Sequence, residues 1–204
     1  MNIGAVLLAA GASHRFGTGN KLLANIGGKP LIRWVAEEIT HSGAGEVVVV
    51  TGCDHLLIEN ALESLPLRFA HNLNWTAGVG SSIAIGILAL GSQPRGAFII
   101  PGDMPFLTAT LLKDLVTTFD QSRCASIVYP TTLMGEQRNP VLWPQRFFPL
   151  LTSLRGSEGA KHLLATFVDS QKQVPVVDEG AFADIDLPAD LETARSQWRS
   201  DRDK

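Results

Sequence analysis

Ile3-Gly4-Ala5-Val6-Leu7-Leu8-Ala9-Ala10-Gly11-Ala12-Ser13-His14-Arg15-Phe16-Gly17 starts as an apolar run and turns, at Gly11, into a chain of small and basic residues. Ile3 to Ala10 has the form of a strand buried on both faces, and Gly11 closes it. The pattern repeats outward from there. Pro30 is placed to open a helix as its first residue, with Leu31, Ile32, Val35 and Ile39 on the buried face and Gly43 at the end. Glu46 to Thr51, with valine from 47 to 50, reads as a central strand. Asp54 to Ser64 reads as a short helix, Leu67 to Ala70 as a strand, and Ser81 as the cap of a helix reaching Leu90. Phe98-Ile99-Ile100 is another buried strand, stopped by Pro101-Gly102. Thr108 is placed to cap a helix over Ala109 to Phe119, and Ser126 to Tyr129 is a strand. After this the rhythm loosens. Asn139 to Trp143 reads as a strand, Gly159 to Phe167 as a helix and Val174 to Val177 as a strand, and Pro188 opens a final mixed-charge helix.

Strands alternating with helices predict an α/β fold, a doubly wound and mostly parallel sheet covered on both faces. Crossovers in such a sheet are right-handed, and ligands bind outside the carboxyl ends of the strands. The Gly11 loop, the stretch from Asn72 to Gly80 and the Gly102-Asp103 turn each follow a predicted strand directly. All three are therefore expected on one rim.

Composition narrows the function. The 204 residues are 45% hydrophobic and 18% charged, enough for the core of one domain without disulfide or metal staples. The 19 Gly and 11 Pro are too few for a collagen-like or low-complexity chain. Seventeen basic against twenty acidic side chains leave a net charge of −3, with no global field to hold nucleic acid or an anionic membrane. Phe69 to Pro94 lacks Asp, Glu, Lys and Arg, but only Ile83 to Leu90 is continuously apolar, short of a membrane span. Cys53 and Cys124 lie far apart and in no C-x-x-C pattern, so they are expected as free, partly buried thiols. With no basic leader at the start, a soluble cytoplasmic protein is expected.

Three elements carry chemistry. In the first loop, the small residues Ala9, Ala10, Gly11 and Ala12 let backbone N–H groups approach a ligand, and such clusters bind anions. Arg15 offers a fork for phosphate oxygens and Lys21 a mobile point charge. A strand-to-helix loop with solvated basic residues reads the same way. The loop lacks the third glycine of a dinucleotide fingerprint, which disfavours a nicotinamide oxidoreductase, and it lacks the P-loop spacing. Pro101-Gly102-Asp103-Met104-Pro105 puts a carboxylate at a strand end, suited to a divalent metal bridging phosphates or simply to an acidic turn. In Asp184-Ile185-Asp186, strand alternation would put both carboxylates on one side, although Asp186 could instead cap the helix after Pro188. His14 reads as solvated, and Trp75 as either a stacking or a packing residue. The closing residues from Arg199 to Lys204 read as a frayed, solvated tail.

Leu8 to Lys21, with Leu22-Leu23 and Gly28-Lys29-Pro30-Leu31, resembles the L-A-A-G-x-S-x-R-M-G…K signature of the nucleotidyltransferases that make molybdopterin dinucleotides. Asn74-Trp75-x-x-Gly78 with Ser81-Ser82-Ile83 is similar to that family's base-and-ribose loop, and Gly102-Asp103-Met104-Pro105 to its metal-binding turn. Asn139-Pro140-Val141, Gly156-Ser157-Glu158-Gly159-Ala160-Lys161 and Asp184-Ile185-Asp186-Leu187-Pro188 resemble its H-P-V, G-D-x-G-A-R and D-I-D-T-P segments. Phe16, Asn139, Ser157 and Lys161 stand where the family carries Met, His, an acidic residue and Arg. Among members, the cytidylyltransferases are the better likeness.

The resemblance implies a Rossmann-like nucleotidyltransferase fold and Mg²⁺-dependent transfer of CMP from CTP to the terminal phosphate of molybdenum-loaded molybdopterin, giving molybdopterin cytosine dinucleotide and pyrophosphate. It implies a nucleotide site from Leu8, Ala9, Ala10, Gly11, Ala12, Ser13, Arg15, Lys21, Asn74, Gly78, Ser81, Ser82 and Gly102. Arg15, Lys21 and Asp103 would act on the phosphates, Asp103 and Asp186 with Asp184 would hold the metal, and Asn139, Pro140, Gly159 and Lys161 would meet the acceptor. A client molybdoenzyme is the implied protein partner. The rivals are a guanylyltransferase or another nucleotidyltransferase with a phosphorylated acceptor, and a non-catalytic carrier of the finished cofactor.

Overall fold

Alternate residues of the central strands face opposite ways, and helices cover both sides. The computed structural model describes residues 2–17, 19–91, 93–157 and 159–202. In chain order the strands are β1 (Ile3–Ala9), β2 (Asn25–Ile26), β3 (Lys29–Pro30), β4 (Val47–Thr51) and β5 (Arg68–His71). They continue with β6 (Gly96–Pro101), β7 (Ile127–Thr131), β8 (Val141–Pro144) and β9 (Gln171–Pro175). The α-helices are α1 (Leu31–His41), α2 (His55–Ala61), α3 (Val79–Ala89), α4 (Ala109–Gln121), α5 (Phe148–Ser153), α6 (Lys161–Thr166) and α7 (Pro188–Arg202).

Seven strands form one sheet in the order β5-β4-β1-β6-β8-β7-β9. β1 pairs in parallel with β4 and β6, β4 with β5, and β7 with β9; β8 alone runs antiparallel, between β6 and β7. The expected doubly wound, mostly parallel sheet is what the chain forms. Ala5, Leu7, Val49, Phe98 and Ile100 face a core closed by α1, α2, α4 and α7. Val6, Val48, Val50, Ala97 and Ile99 face a second core closed by α3, α5 and α6. This two-sided burial is why β1 and β4 read as continuous apolar runs rather than alternating ones.

Several boundaries differ from the sequence expectation. Pro30 does not open α1. It pairs with Asn25 in the β2–β3 ribbon with an extended ψ of 142°, so the helix starts one residue later. Ser81 is not the cap of α3 but lies inside its first turn, after Gly78 at φ 115°. Glycine is required at 78 twice over, since a Cβ there would stand 2.5 Å from the backbone of Gly156. Asp184 to Asp186 is not a strand: the segment is irregular, and the Ile185 N–H donates to the Asp103 carbonyl at 3.0 Å. The helix from Phe148 to Ser153 has no counterpart in the expectation. Thr108 caps α4 as expected, its hydroxyl accepting from the Leu111 N–H at 3.2 Å. Cys53 and Cys124 are free and half-buried, with burial and then the neighbouring Asp54 or Asp120 pushing each thiol up. Among the described residues no helix is long and apolar enough to cross a membrane. Glu158 and the tail from Arg199 lie outside the residues whose side chains are described.

Candidate active site

β1, β5 and β6 all deliver their carboxyl ends to one rim, and the three loops expected there meet on it. A cavity of about 790 Å³ is lined by Leu8, Arg15, Val79, Asp103, Asn139, Gly159, Lys161, Asp184 and Asp186, among others. Beside it a hollow of about 470 Å³ is bounded by Gly11, Ser13, His14, Arg15, Lys21, Gly102, Asp103 and Asp186. A third, of about 360 Å³, is walled by Ala10, Gly11, Ala12, Trp75, Gly78, Val79 and Ser82. Leu8 and Val79 border all three, so the hollows are parts of one groove.

The charged centre lies where the first two meet. Lys21 Nζ donates to Asp103 Oδ2 and to Asp186 Oδ1, each at 2.7 Å. Arg15 reaches the other oxygen of Asp186 at 3.0 Å. Lys21 is 14% exposed and Asp103 19%, whereas Arg15 is 74% exposed. Burial pulls the Lys21 ammonium down, but the Asp103 and Asp186 carboxylates outweigh it and hold the group above its ordinary value. The Lys21 hydrogen bond holds the Asp186 carboxyl below its ordinary value, against partial burial and with help from Arg15. Asp103 reaches this place because β6 ends under it. Gly102 allows the approach, since a Cβ there would stand 2.7 Å from both Ile32 Cδ1 and the Leu8 carbonyl.

Asp186 does not cap α7. The Asp190 carboxylate accepts from the N–H groups of Asp186 and Leu187, at 3.0 and 2.7 Å, and leaves Asp186 free to face the cations. Asp184 stands on the wall of the large cavity. The donor set suits a hard cation: Asp103 Oδ1 is buried and without a hydrogen-bond partner, beside the oxygens that Lys21 holds. Among the described residues no three His, Cys, Asp or Glu side chains form a metal cage. Two carboxylates on an open rim fit Mg²⁺, which keeps several waters and takes oxygens from phosphates, better than a metal needing a full protein shell.

Other expected site residues separate into two groups. Leu8, Ala10, Gly11, Ala12, Ser13, Gly78, Ser82, Gly102, Asn139, Gly159 and Lys161 stand on the groove walls. Ala9, Asn74, Ser81 and Pro140 do not appear on them. Ala9 is 1% exposed, paired with Thr51 in the sheet, so its side chain belongs to the core. Ser81 turns its hydroxyl to the Gly78 carbonyl at 2.8 Å. His14 is exposed, as expected, and borders both smaller hollows.

Two buried amides went unnoticed in the sequence. Asn72 donates to the hydroxyls of Ser81 and Ser82 at 2.9 and 3.0 Å and accepts from the Asn74 N–H at 2.9 Å, fixing the loop into α3. Asn20 accepts from the Leu22 N–H at 3.1 Å and the Ser13 hydroxyl at 3.3 Å, and donates to Asp54 at 3.3 Å. Ser13 Oγ in turn accepts from the Lys21 N–H at 3.2 Å. An Asn directly before Lys-Leu-Leu is a cap signal for the short turn at Lys21–Leu23, and it was the one cue available. Arg138, on the large cavity next to Asn139, was also missed.

Known proteins resemble this chain in fold or in sequence. A nucleotidyl transferase from Methanothermobacter thermautotroptrophicus superposes with a TM-score of 0.81 over 98% of both chains, at 18% identity. Nicotine blue oxidoreductase of Paenarthrobacter nicotinovorans is 32% identical over 124 residues, 61% of this chain and 60% of that protein. The chain therefore matches less than two thirds of that relative. The purine catabolism protein PucB of Bacillus subtilis is 27% identical over 93% of this chain and 94% of its own. The model of the MobA-like NTP transferase domain matches residues 5–174, which span the three carboxyl-end loops, Lys21 and Asp103, and the chain belongs to that family.

Proposed function

We propose that this chain transfers CMP from CTP to the terminal phosphate of molybdenum-loaded molybdopterin, giving molybdopterin cytosine dinucleotide and pyrophosphate. One observation carries the reading: two cations of the first loop, a carboxylate from mid-chain and one from the segment before α7 are interlocked on the carboxyl rim, beside a loop of small residues. Membership of the NTP transferase family supports nucleotidyl transfer as the reaction class. The choice of CTP and of the pterin rests on the likeness of the Gly11, Gly78, Asn139 and Asp184 segments to the molybdopterin cytidylyltransferases.

The acceptor's phosphate monoester has a second pKa near 6, so at neutral pH its oxygen is already an anionic nucleophile and needs no general base. That oxygen forms a bond to the α-phosphorus of CTP while the bond from the α-phosphorus to the bridging oxygen breaks. Pyrophosphate leaves with the electron pair. Arg15 and Lys21 hold the triphosphate and meet charge as it moves to the leaving group, the usual source of rate in such transfers. Asp103 and Asp186 would hold Mg²⁺, with Asp184 as a further carboxylate, and the ion would supply neutralisation of the phosphates. Backbone from Gly11 to Ser13 borders the phosphates. The hollow between Trp75 and Ser82 takes the base, and the large cavity with Asn139, Gly159 and Lys161 takes the acceptor. A molybdoenzyme that receives the product is the partner this chemistry calls for.

The test is thermal unfolding with CTP, GTP, ATP, UTP and NADPH, each with and without Mg²⁺. A ligand at a hundred times its Kd adds about 2.7 kcal/mol, which for a chain this size raises Tm by about 5 to 10 °C. A Mg²⁺-dependent rise with CTP alone is the expected result. A rise with GTP alone replaces the base and keeps the reaction. A rise with NADPH and none with nucleoside triphosphates overturns the transferase reading, and silence to all five points to the cofactor carrier.

A further inference from the structure

The four charged groups of the site neutralise one another in the free protein: Arg15 and Lys21 stand against Asp103 and Asp186, two charges of each sign. Resting on the functional reading above, we infer that Lys21 is a tethered counter-cation. Its ammonium holds the place of the divalent ion between the two carboxylates until a triphosphate draws it away, so that metal and nucleotide enter as a pair.

The geometry is that of an occupied cation site. One nitrogen lies 2.7 Å from an oxygen of each of two carboxylates, which come from residues 82 and 165 positions further along the chain. Only the far end of the lysine is free to move. Its backbone is fixed by the N–H bond to Ser13 Oγ, and Ser13 and Leu22 are both tied to Asn20. A lysine suits this task because its charge is compact and rides on a flexible four-carbon stem, whereas an arginine fork would be bound to one geometry.

Each ligand arriving alone meets an obstacle. A bare metal ion must evict an ammonium that is 14% exposed, leaving that charge without a partner away from bulk water. A bare triphosphate meets cations already bonded to carboxylates, whose negative charge stays in place beside the incoming phosphates. When both arrive, the ammonium turns to the phosphates, the metal takes the carboxylate oxygens, and Asp103 Oδ1 gains the partner it lacks. The coupling is reciprocal, so the factor by which nucleotide tightens metal is the factor by which metal tightens nucleotide.

The experiment is a Mn²⁺ titration of the whole chain without nucleotide, reading free Mn²⁺ by electron paramagnetic resonance. Wild type, Lys21→Met and Arg15→Met are compared after circular dichroism has verified each fold. Arg15 touches the same carboxylate, yet it is 74% exposed and does not lie between the two, so it reports the general effect of removing a positive charge. Lys21→Met is expected to bind Mn²⁺ at least tenfold tighter than wild type, and Arg15→Met less than threefold tighter. Equal affinity in Lys21→Met and wild type, or equal gains in both variants, overturns the inference. Asp186→Asn tests it from the other side and serves if Lys21→Met does not fold: in EDTA it should bind CTP at least tenfold tighter than wild type, and no gain overturns the inference. Failure of the proposed reaction is read separately, as the absence of any triphosphate response in wild-type unfolding, because the Mn²⁺ comparison contains no nucleotide.

Discussion

Lys21 and Asp103 face each other at 2.7 Å on the rim where phosphates are expected, and the proposed transfer would use the charge of each. Lys21→Ala or Asp103→Asn should lower the rate of CMP transfer about a hundredfold or more, the loss of roughly 3 kcal/mol typical of one preorganised charge contact. Initial rates of pyrophosphate release check this, and wild-type rates in either variant remove the residue from the reaction. The same cluster gives stability a defined pH window. Asp186 titrates below its ordinary value, so its share of stability is present above about pH 4 and lost as pH falls through the lowered value. Lys21 titrates above its ordinary value, so its share is present below about pH 10 and lost as pH rises through the raised one. The Tm difference between wild type and Lys21→Met should therefore stay level between these limits and shrink outside them. A difference that peaks inside the window and falls on the way to its edges contradicts the assignment.

At the scale of elements, the turn between β5 and α3 depends on one buried side chain. Asn72→Ala leaves the Asn74 N–H without its acceptor and strips a donor from Ser81 and Ser82. An unsatisfied buried group costs about 1–3 kcal/mol. Tm should fall by about 3 to 10 °C, and CTP affinity should fall with it, because Gly78, Val79 and Ser82 wall the hollow assigned to the base. A loss of stability with affinity unchanged separates this loop from base binding. Asn72 and Asn20 show why part of the site was hidden in the sequence. A buried amide looks like any loop residue until its partners are known, and those partners are a first-loop hydroxyl, the carboxylate before α2 and a hydroxyl in the first turn of α3. β1, by contrast, was legible, because burial on both faces forces an unbroken apolar run and the ligand loop behind it must be small. The Asp184–Asp186 segment was misread because three alternating residues are too few to distinguish a strand from an irregular stretch pinned at Ile185. Nor did the run from Asn139 to Trp143 say that β8 reverses direction. That depends on the tight turn at Thr132 to Gly135, where Gly135 takes a positive φ of 86°.

For the molecule as a whole, α7 acts as a brace. Leu191 and Ala194 enter the first core, and Trp198 packs its ring 4.2 Å from Trp34 and 6.1 Å from Phe106. Arg195 ties the helix to the β2–β3 ribbon through the Asn25 carbonyl at 3.0 Å. Trp198→Ala should cost about 2 kcal/mol, roughly half the price of a fully buried aromatic, and lower Tm by about 4 to 8 °C. Nucleotide affinity should stay unchanged, since Trp198 lies on none of the groove walls. An affinity loss as large as the stability loss would place the helix's far end in communication with the groove. The ion cluster itself joins residues separated by 82 and 165 positions in the chain. A ribosome making this protein therefore releases Lys21 and Asp103 long before Asp186, and the interlocked centre closes only after the segment around 186 has emerged. All seven strands of the sheet, the last of which ends at Pro175, have been made by then, so the charge lock is the last part of this rim to close.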